Sequence, residues 1–248
     1  MQVFSGRAVT HMHTIVKKLL DYFYPPRCPI CDEILPLGTV ICEDCKKEAA
    51  AVTEPMCKKC GKPIENGERE YCSDCIVKNH AYRQGKAVFL YRAGMKKSMY
   101  RFKYSNRREY AQFYAKRAAD IHSDWVLRNR IEVIVPIPMY PKKKRRRGYN
   151  QAEIFARALG KELGIPVDTG IVRRIRDTVP QKELNDKERQ RNLKNAFQLA
   201  PNIVKYSQIL LVDDIYTTGS TMDAVAAVLL SGGAQNIYYI CISIGTGF

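Results

Sequence analysis

Beyond residue 80 the chain alternates short apolar runs with longer stretches of helical periodicity. Residues 209–212, Ile-Leu-Leu-Val, read as a buried strand, and 86–91, 131–135, 171–175, 196–199 and 237–244 read as further strands. Cys241, inside the last of these, reads as a buried small apolar side chain. Helices are expected over 95–104, 108–128, 151–163 and 222–230. The first pair is broken at Ser105-Asn106, and the last two are closed by Gly164 and by Gly232-Gly233. Tyr110, Phe113 and Tyr114 fall at i, i+3 and i+4, the spacing of a core-facing stripe, and Trp125 on the same helix belongs with them. Strands alternating with helices predict an α/β fold, a parallel sheet with flanking helices. Ahead of it, residues 14–24 read as a short helix stopped by Pro25-Pro26, and 1–11 carry no pattern.

The strand at 209–212 organises the rest. Asp213 and Asp214 stand at its carboxyl end, and Tyr216, Thr217, Thr218, Gly219, Ser220 and Thr221 lead into the next helix. In open α/β sheets, ligands bind at the carboxyl ends of strands, over helix N-termini. The backbone N–H groups of 216–221 and the hydroxyls of Thr217, Thr218, Ser220 and Thr221 suit a phosphate. The two carboxylates repel that phosphate and suit a neutral diol or a metal ion. A sugar phosphate meets both demands, with its phosphate in the loop and its ribose hydroxyls on the acids. Residues 209–221 resemble the 5-phosphoribosyl-1-pyrophosphate (PRPP) motif of type I phosphoribosyltransferases. Rival nucleotide motifs, G-x-x-x-x-G-K-[ST] and G-x-G-x-x-G, are absent from the sequence. The plainer alternative is an ordinary strand–turn–helix with surface Asp and Thr. It leaves adjacent acids at a buried strand end with nothing to bind them.

Eight of the nine cysteines form four C-x-x-C pairs: Cys28/Cys31, Cys42/Cys45, Cys57/Cys60 and Cys72/Cys75. Each pair makes a tight knuckle, and two knuckles bring four thiolates into the tetrahedral geometry that suits zinc. The crowding points to metal rather than disulfides, and to a reducing compartment. Pairing in chain order gives a small N-terminal double zinc ribbon with two structural zinc ions, although 42/45 with 57/60 is an alternative pairing. The metal would supply the folding energy of so small a module. An iron–sulfur cluster is the second metal reading, and a redox dithiol is a weaker one. His80 follows the last knuckle, where the ligand count is already full, and reads as non-ligating.

The formal net charge of +16 favours acidic partners: nucleic acid, a membrane surface or phosphorylated ligands. Two stretches concentrate it. Between Lys86 and Arg117, ten Lys or Arg, Arg101 and Lys103 among them, are interleaved with eight aromatic residues and a single acid. That composition suits single-stranded nucleic acid, and the competing reading is a core helix with a solvated basic face. Lys142, Lys143, Lys144, Arg145, Arg146 and Arg147 are expected as a loop at the end of the 131–135 strand, placed to meet a pyrophosphate or a nucleic-acid backbone. Residues 176–191 are polar, with both charge signs, and read as a mobile lid carrying a short helix. No apolar run is long enough to span a bilayer and no signal-peptide core is present, so no membrane insertion and a cytoplasmic location are expected.

Taken in order, the cysteine modules, the basic connector, V-P-I-P…R-G-Y-N-Q-A, T-V-P-Q-K-E-L…R-Q-R-N and L-L-V-D-D-I-Y-T-T-G-S-T resemble the competence protein F (ComF) family from about residue 22 onward. Tyr149 stands where that family often carries Phe. The expected division is a leader at 1–26, a double zinc ribbon at 27–80 and a type I phosphoribosyltransferase-like domain at 81–248. The resemblance implies PRPP binding, with Mg²⁺, at Asp213, Asp214, Thr217, Thr218, Gly219, Ser220 and Thr221. It also implies a role in DNA uptake and natural transformation, handling single-stranded DNA beside helicase and uptake proteins. It does not fix a reaction. A transferase in which Asp213 and Asp214 position the ribose, a DNA-binding adaptor that kept only the fold, and a nucleotide-salvage enzyme without a DNA role are the three readings.

Overall fold

The computed structural model of the chain describes residues 25–65, 67–177, 193, 195–200 and 204–245. The helix expected over 14–24 and most of the expected lid, with Thr178, Gln181, Leu184, Arg189, Arg191 and Asn192, lie outside the described residues. Within them the elements run α1 (Glu43–Lys46), α2 (Ser73–Val77), β1 (Gln84–Leu90), α3 (Ala93–Tyr104), α4 (Tyr110–Arg128), β2 (Val133–Pro136), α5 (Pro141–Arg147), α6 (Gln151–Leu163), β3 (Val172–Arg174), β4 (Phe197–Leu199), β5 (Gln208–Tyr216), α7 (Ser220–Ser231) and β6 (Asn236–Ile244).

Four strands form one parallel sheet in the order β1-β6-β5-β2, and β3 pairs β4 in a separate antiparallel ribbon. Parallel sheets are covered on both faces, so their strands read as unbroken apolar runs. Ile209, Leu210, Leu211 and Val212 are all fully buried. Alternate residues still serve opposite faces. Leu210, Val212, Tyr238 and Ile240 join the side chains of α3, α4 and α6, while Ile209, Leu211, Tyr239 and Cys241 meet those of α7. Tyr110, Phe113 and Tyr114 are buried on α4, as their spacing requires, and each contributes roughly 1.5–3 kcal/mol by leaving water.

The two cysteine modules share these two cores. Cys28, Ile30, Leu35, Cys45 and Ala49 pack on the α3–α4 face, whereas Cys57, Cys60 and Cys72 pack on the α7 face. The segment between the modules runs along the edge strand β1. Ala51 bridges Phe89, and the Val52 N–H donates to the Val88 carbonyl at 3.0 Å. An otherwise open sheet edge is thereby covered. On the second module's side the Tyr239 ring lies across Gly85. A Cβ at Gly85 would stand 2.0 Å from Tyr239 Cε1, so only glycine permits this approach.

Three sequence expectations change. First, β5 continues to Tyr216, so Asp213 and Asp214 lie inside the strand, with Asp213 in register with Cys241, rather than beyond its end. Second, Ser220 already belongs to α7, and Gly219 is its N-cap in the left-handed conformation. Third, the cations at 142–147 form the helix α5 and not a loop. Pro141 occupies its first turn and left-handed Gly148 ends it, the favoured arrangement for a short helix. Like charges within α5 are offset from outside: Lys144 pairs with Glu153 and Lys143 with Asp177, each at 2.8 Å, and Arg147 donates to Gln151 Oε1 at 2.6 Å.

Candidate functional site

The site is built where β5 meets α7. Asp213 and Asp214 are both partly buried. The Asp214 N–H donates to Asp213 Oδ1 at 2.9 Å, which turns the Asp213 carboxylate back on the strand. Asp214 Oδ2 meets Lys103 Nζ from α3 at 2.8 Å. Burial pushes the Asp213 carboxyl up to about 7 and the neighbouring Asp214 charge adds to this, against the Asp214 N–H, Lys103 and Arg174. Burial opposes the charge on Lys103, but the Asp214 carboxylate outweighs it and holds the ammonium protonated. The two acids therefore share a cation, as adjacent carboxylates must when little water reaches them.

The loop that follows is shaped by Gly219, with φ of +80°. A Cβ there would stand 2.6 Å from the Tyr216 hydroxyl and 3.0 Å from His80 Cε1, so only glycine lets the backbone lie this close to the wall behind it. Thr218 Oγ1 and Ser220 Oγ are 3.1 Å apart, and Thr217 is exposed. Asp213, Tyr216, Thr217, Gly219, Ser220 and Thr221 line one narrow cleft. Beside it, at the carboxyl end of β2, a cavity of about 510 Å³ is lined by Pro138, Tyr140, Lys144, Asn150, Arg173 and Arg174. Strand pairing puts the two openings side by side, since Pro136 is in register with Val212 and the Ile137 N–H donates to the Val212 carbonyl at 2.9 Å.

The cysteines fall into two groups, Cys28/Cys31/Cys42/Cys45 and Cys57/Cys60/Cys72/Cys75, with the sulfurs of each group within 4.8 Å of one another. Pairing in chain order is thus the one observed, and the crossed pairing of 42/45 with 57/60 is not. Burial opposes ionisation of Cys28, yet the backbone N–H groups of Cys31, Cys42 and Ile30 outweigh it and bring the thiol down to about 7. Four clustered sulfurs, with such N–H donors behind them, can hold a metal ion and leave no position open for chemistry. His80 takes no part in either group and binds Asp223 instead.

The model of a double zinc ribbon domain matches residues 19–76, and that of a phosphoribosyl transferase domain matches residues 108–245. Competence protein F of Haemophilus influenzae is 31% identical to this chain over 87% of it and 95% of that protein. The chain belongs to the ComF family. DNA utilization protein YhgH of Escherichia coli strain K12 is 30% identical over 88% of this chain and 96% of its own, and competence protein ComFC of Bacillus subtilis 28% identical over 78% and 79%. A purine phosphoribosyltransferase from Pyrococcus horikoshii superimposes at a TM-score of 0.31 with 16% identity, covering 52% of this chain and 72% of that one.

In this ComF chain the residues expected at the site fall in three places. Asp213, Asp214 and the 216–221 loop come together in the β5–α7 cleft. Lys103, expected to touch phosphate, is ion-paired to Asp214, whereas Arg101 donates to the Ile30 carbonyl at 2.7 Å and so holds the first cysteine module to α3. Among the eight interleaved aromatics, Phe89, Phe102, Tyr110, Phe113 and Tyr114 are buried. Tyr100 and Tyr104 stay exposed, with ring centroids 5.0 Å apart and the Arg147 guanidinium 4.9 Å from the Tyr104 ring. Sequence reasoning missed Arg174, whose charge acts on Asp213 from the rim of the larger cavity. The Arg173-Arg174 pair inside an apolar strand was the available signal. Among the described residues, no helix is long and apolar enough to cross a membrane.

Proposed function

We propose that this ComF protein binds PRPP, or a closely related sugar phosphate, in the β5–α7 cleft, and that it does so as a cytoplasmic protein handling single-stranded DNA during uptake. The observation that carries the ligand reading is the acid pair of β5 followed, after residues 215–218, by a left-handed glycine and the first turn of a twelve-residue helix. Loop N–H groups and the hydroxyls of Thr217, Thr218, Ser220 and Thr221 take the 5′-phosphate. Asp214, with Lys103 beside it, and Asp213 accept the ribose hydroxyls. The neighbouring cavity, lined by Lys144, Arg173 and Arg174, accommodates the pyrophosphate. The carboxylate oxygens and those of a pyrophosphate are the hard donors that Mg²⁺ takes, and the ion when bound offsets the pyrophosphate charge. If transfer occurs, the acids sit where positive charge grows at C1′ as the pyrophosphate leaves, and Arg174 sits where negative charge collects.

Zinc is the metal that four thiolates without an open position favour, one ion per cysteine module, with a structural role. The DNA reading is supported by the names of the relatives, by the exposed Tyr100/Tyr104 pair beside Arg147, and by the cations of α5. Cations that follow phosphates and rings that stack on bases are what single strands require. Two melting series test the proposal. PRPP with Mg²⁺ should raise the Tm of the metal-loaded protein in a concentration-dependent way. A Tm indifferent to PRPP overturns the ligand assignment. Oligonucleotide affinity should fall steeply with salt, and a salt-insensitive affinity overturns the DNA track.

A further inference from the structure

The tail of the second cysteine module reaches the anion loop. His80 follows that module and is 4% exposed. Its Nδ1 lies 2.8 Å from Asp223 Oδ2, and the next residue's N–H, that of Ala81, donates to Asp223 Oδ1 at 3.0 Å. Asp223 lies in the first turn of α7, and its own N–H donates to the Gly219 carbonyl at 2.8 Å. The other ring nitrogen, Nε2, is buried with no hydrogen-bond partner among the described residues. Cε1, which joins the two nitrogens, faces Gly219. Nε2 is thus a buried ring nitrogen that the described fold does not itself satisfy.

The wall around His80 also reaches the second module. Its ring stacks on Tyr82 at 4.8 Å, the Tyr82 and Tyr216 hydroxyls are 2.7 Å apart, and Tyr216 stacks on Tyr239 at 4.9 Å. The Tyr239 hydroxyl in turn donates to the carbonyl of Cys60 at 2.7 Å. One continuous set of contacts thus runs from a metal knuckle to the loop's glycine.

We propose that His80 is a positioning residue of the anion loop: clasped by Asp223, it backs Gly219 and sets the direction of the loop's N–H groups, so that phosphate affinity depends on the second cysteine module more than on the first. This inference rests on the phosphoribosyl reading above, because the loop's anion is that ligand's 5′-phosphate. The test is calorimetric titration of full-length, metal-loaded protein with PRPP and Mg²⁺, alongside thermal melting of each variant. His80→Ala should weaken binding about tenfold, the scale of one lost charge-assisted hydrogen bond. His80→Asn, whose amide nitrogen takes the place of Nδ1, should recover most of the loss. Asp223→Asn preserves size and should weaken binding as His80→Ala does, which keeps the test open if the alanine variant does not fold. Cys72→Ser should weaken binding more than Cys31→Ser does. No PRPP binding by the wild type overturns the phosphoribosyl reading itself. Binding by the wild type with unchanged affinity in His80→Ala and Asp223→Asn overturns this inference alone, and equal losses in the two cysteine variants overturn the link to the second module.

Discussion

The two cysteine modules carry the same four-sulfur arrangement and dock on opposite faces of one sheet, but they abut different halves of the site. The first is joined to α3: Arg101 holds the Ile30 carbonyl, and Asp32 takes Arg107 at 2.9 Å just beyond the helix. Two residues past Arg101, the same helix delivers Lys103 to Asp214. The second is joined to the loop, through Tyr239 on the Cys60 carbonyl and His80 on Asp223. A further ion pair, buried Lys62 with half-buried Asp74 at 2.5 Å, ties its two knuckles together, and the Lys62 ammonium stands 6.0 Å from the Tyr216 ring. The first module thus braces the acids, and the second braces the 216–221 loop. Modules of one design can therefore have separable consequences, because what each transmits depends on the face it covers.

The largest expected effect is loss of a sulfur ligand. Structural zinc in small modules contributes on the order of 10 kcal/mol of apparent binding energy, so Cys60→Ser and Cys45→Ser should each release their metal, measured by chelator competition. The comparison predicts unlike losses: amide protection at 216–221 falls in the first variant, and burial of α3 falls in the second. Identical hydrogen-exchange maps would break the comparison.

Next comes Asp214→Ala, which removes the carboxylate that Lys103 meets at 2.8 Å and leaves the ammonium only the charge of Asp213. Urea unfolding should show a loss of about 3 kcal/mol, and adding Lys103→Met should restore most of it. A loss of 1–3 kcal/mol is expected for Gly85→Ala, because the Tyr239 ring must move to admit the methyl group. That change acts through the second module's wall, so it should also weaken PRPP binding.

The pH dependence is smaller. Asp213 binds its proton more tightly folded than unfolded, with its value raised to about 7 by burial and by Asp214. Its contribution to stability therefore declines as pH rises from the ordinary carboxylate range to about 7, and is constant above that. Ligand affinity should follow the ionised form, rising through about pH 7 and then flattening, and Asp213→Asn should abolish the rise. The smallest effect is Tyr104→Ala, with roughly 1 kcal/mol lost in oligonucleotide binding and an unchanged salt slope, whereas Arg146→Ala should lower that slope by about one unit.

Much of this organisation is legible in the residues. The strand at 209–212, the helix at 151–163 with its Gly164 stop, and the buried Cys241 are where local pattern places them, because periodicity reports burial directly. Spacing favours the in-order cysteine pairing but leaves 42/45 with 57/60 open, and the placement of the sulfurs decides it. What pattern cannot show is contact between distant segments. Lys103 reads as one cation among many until α3 is laid against β5, and His80 gives no sign of Asp223. The helix α5 is hidden for a related reason: its charges are compensated by Glu153 and Asp177, which lie outside it. The extension of β5 through two acids defies strand propensity and is held by pairing with β6.

The most direct test is calorimetric titration of the zinc-loaded protein with PRPP and Mg²⁺, run beside Asp213→Asn/Asp214→Asn. The account predicts saturable binding by the wild type that disappears in the double variant while the fold persists. Absence of heat with a folded, metal-replete wild type, or equal binding by both proteins, would contradict it.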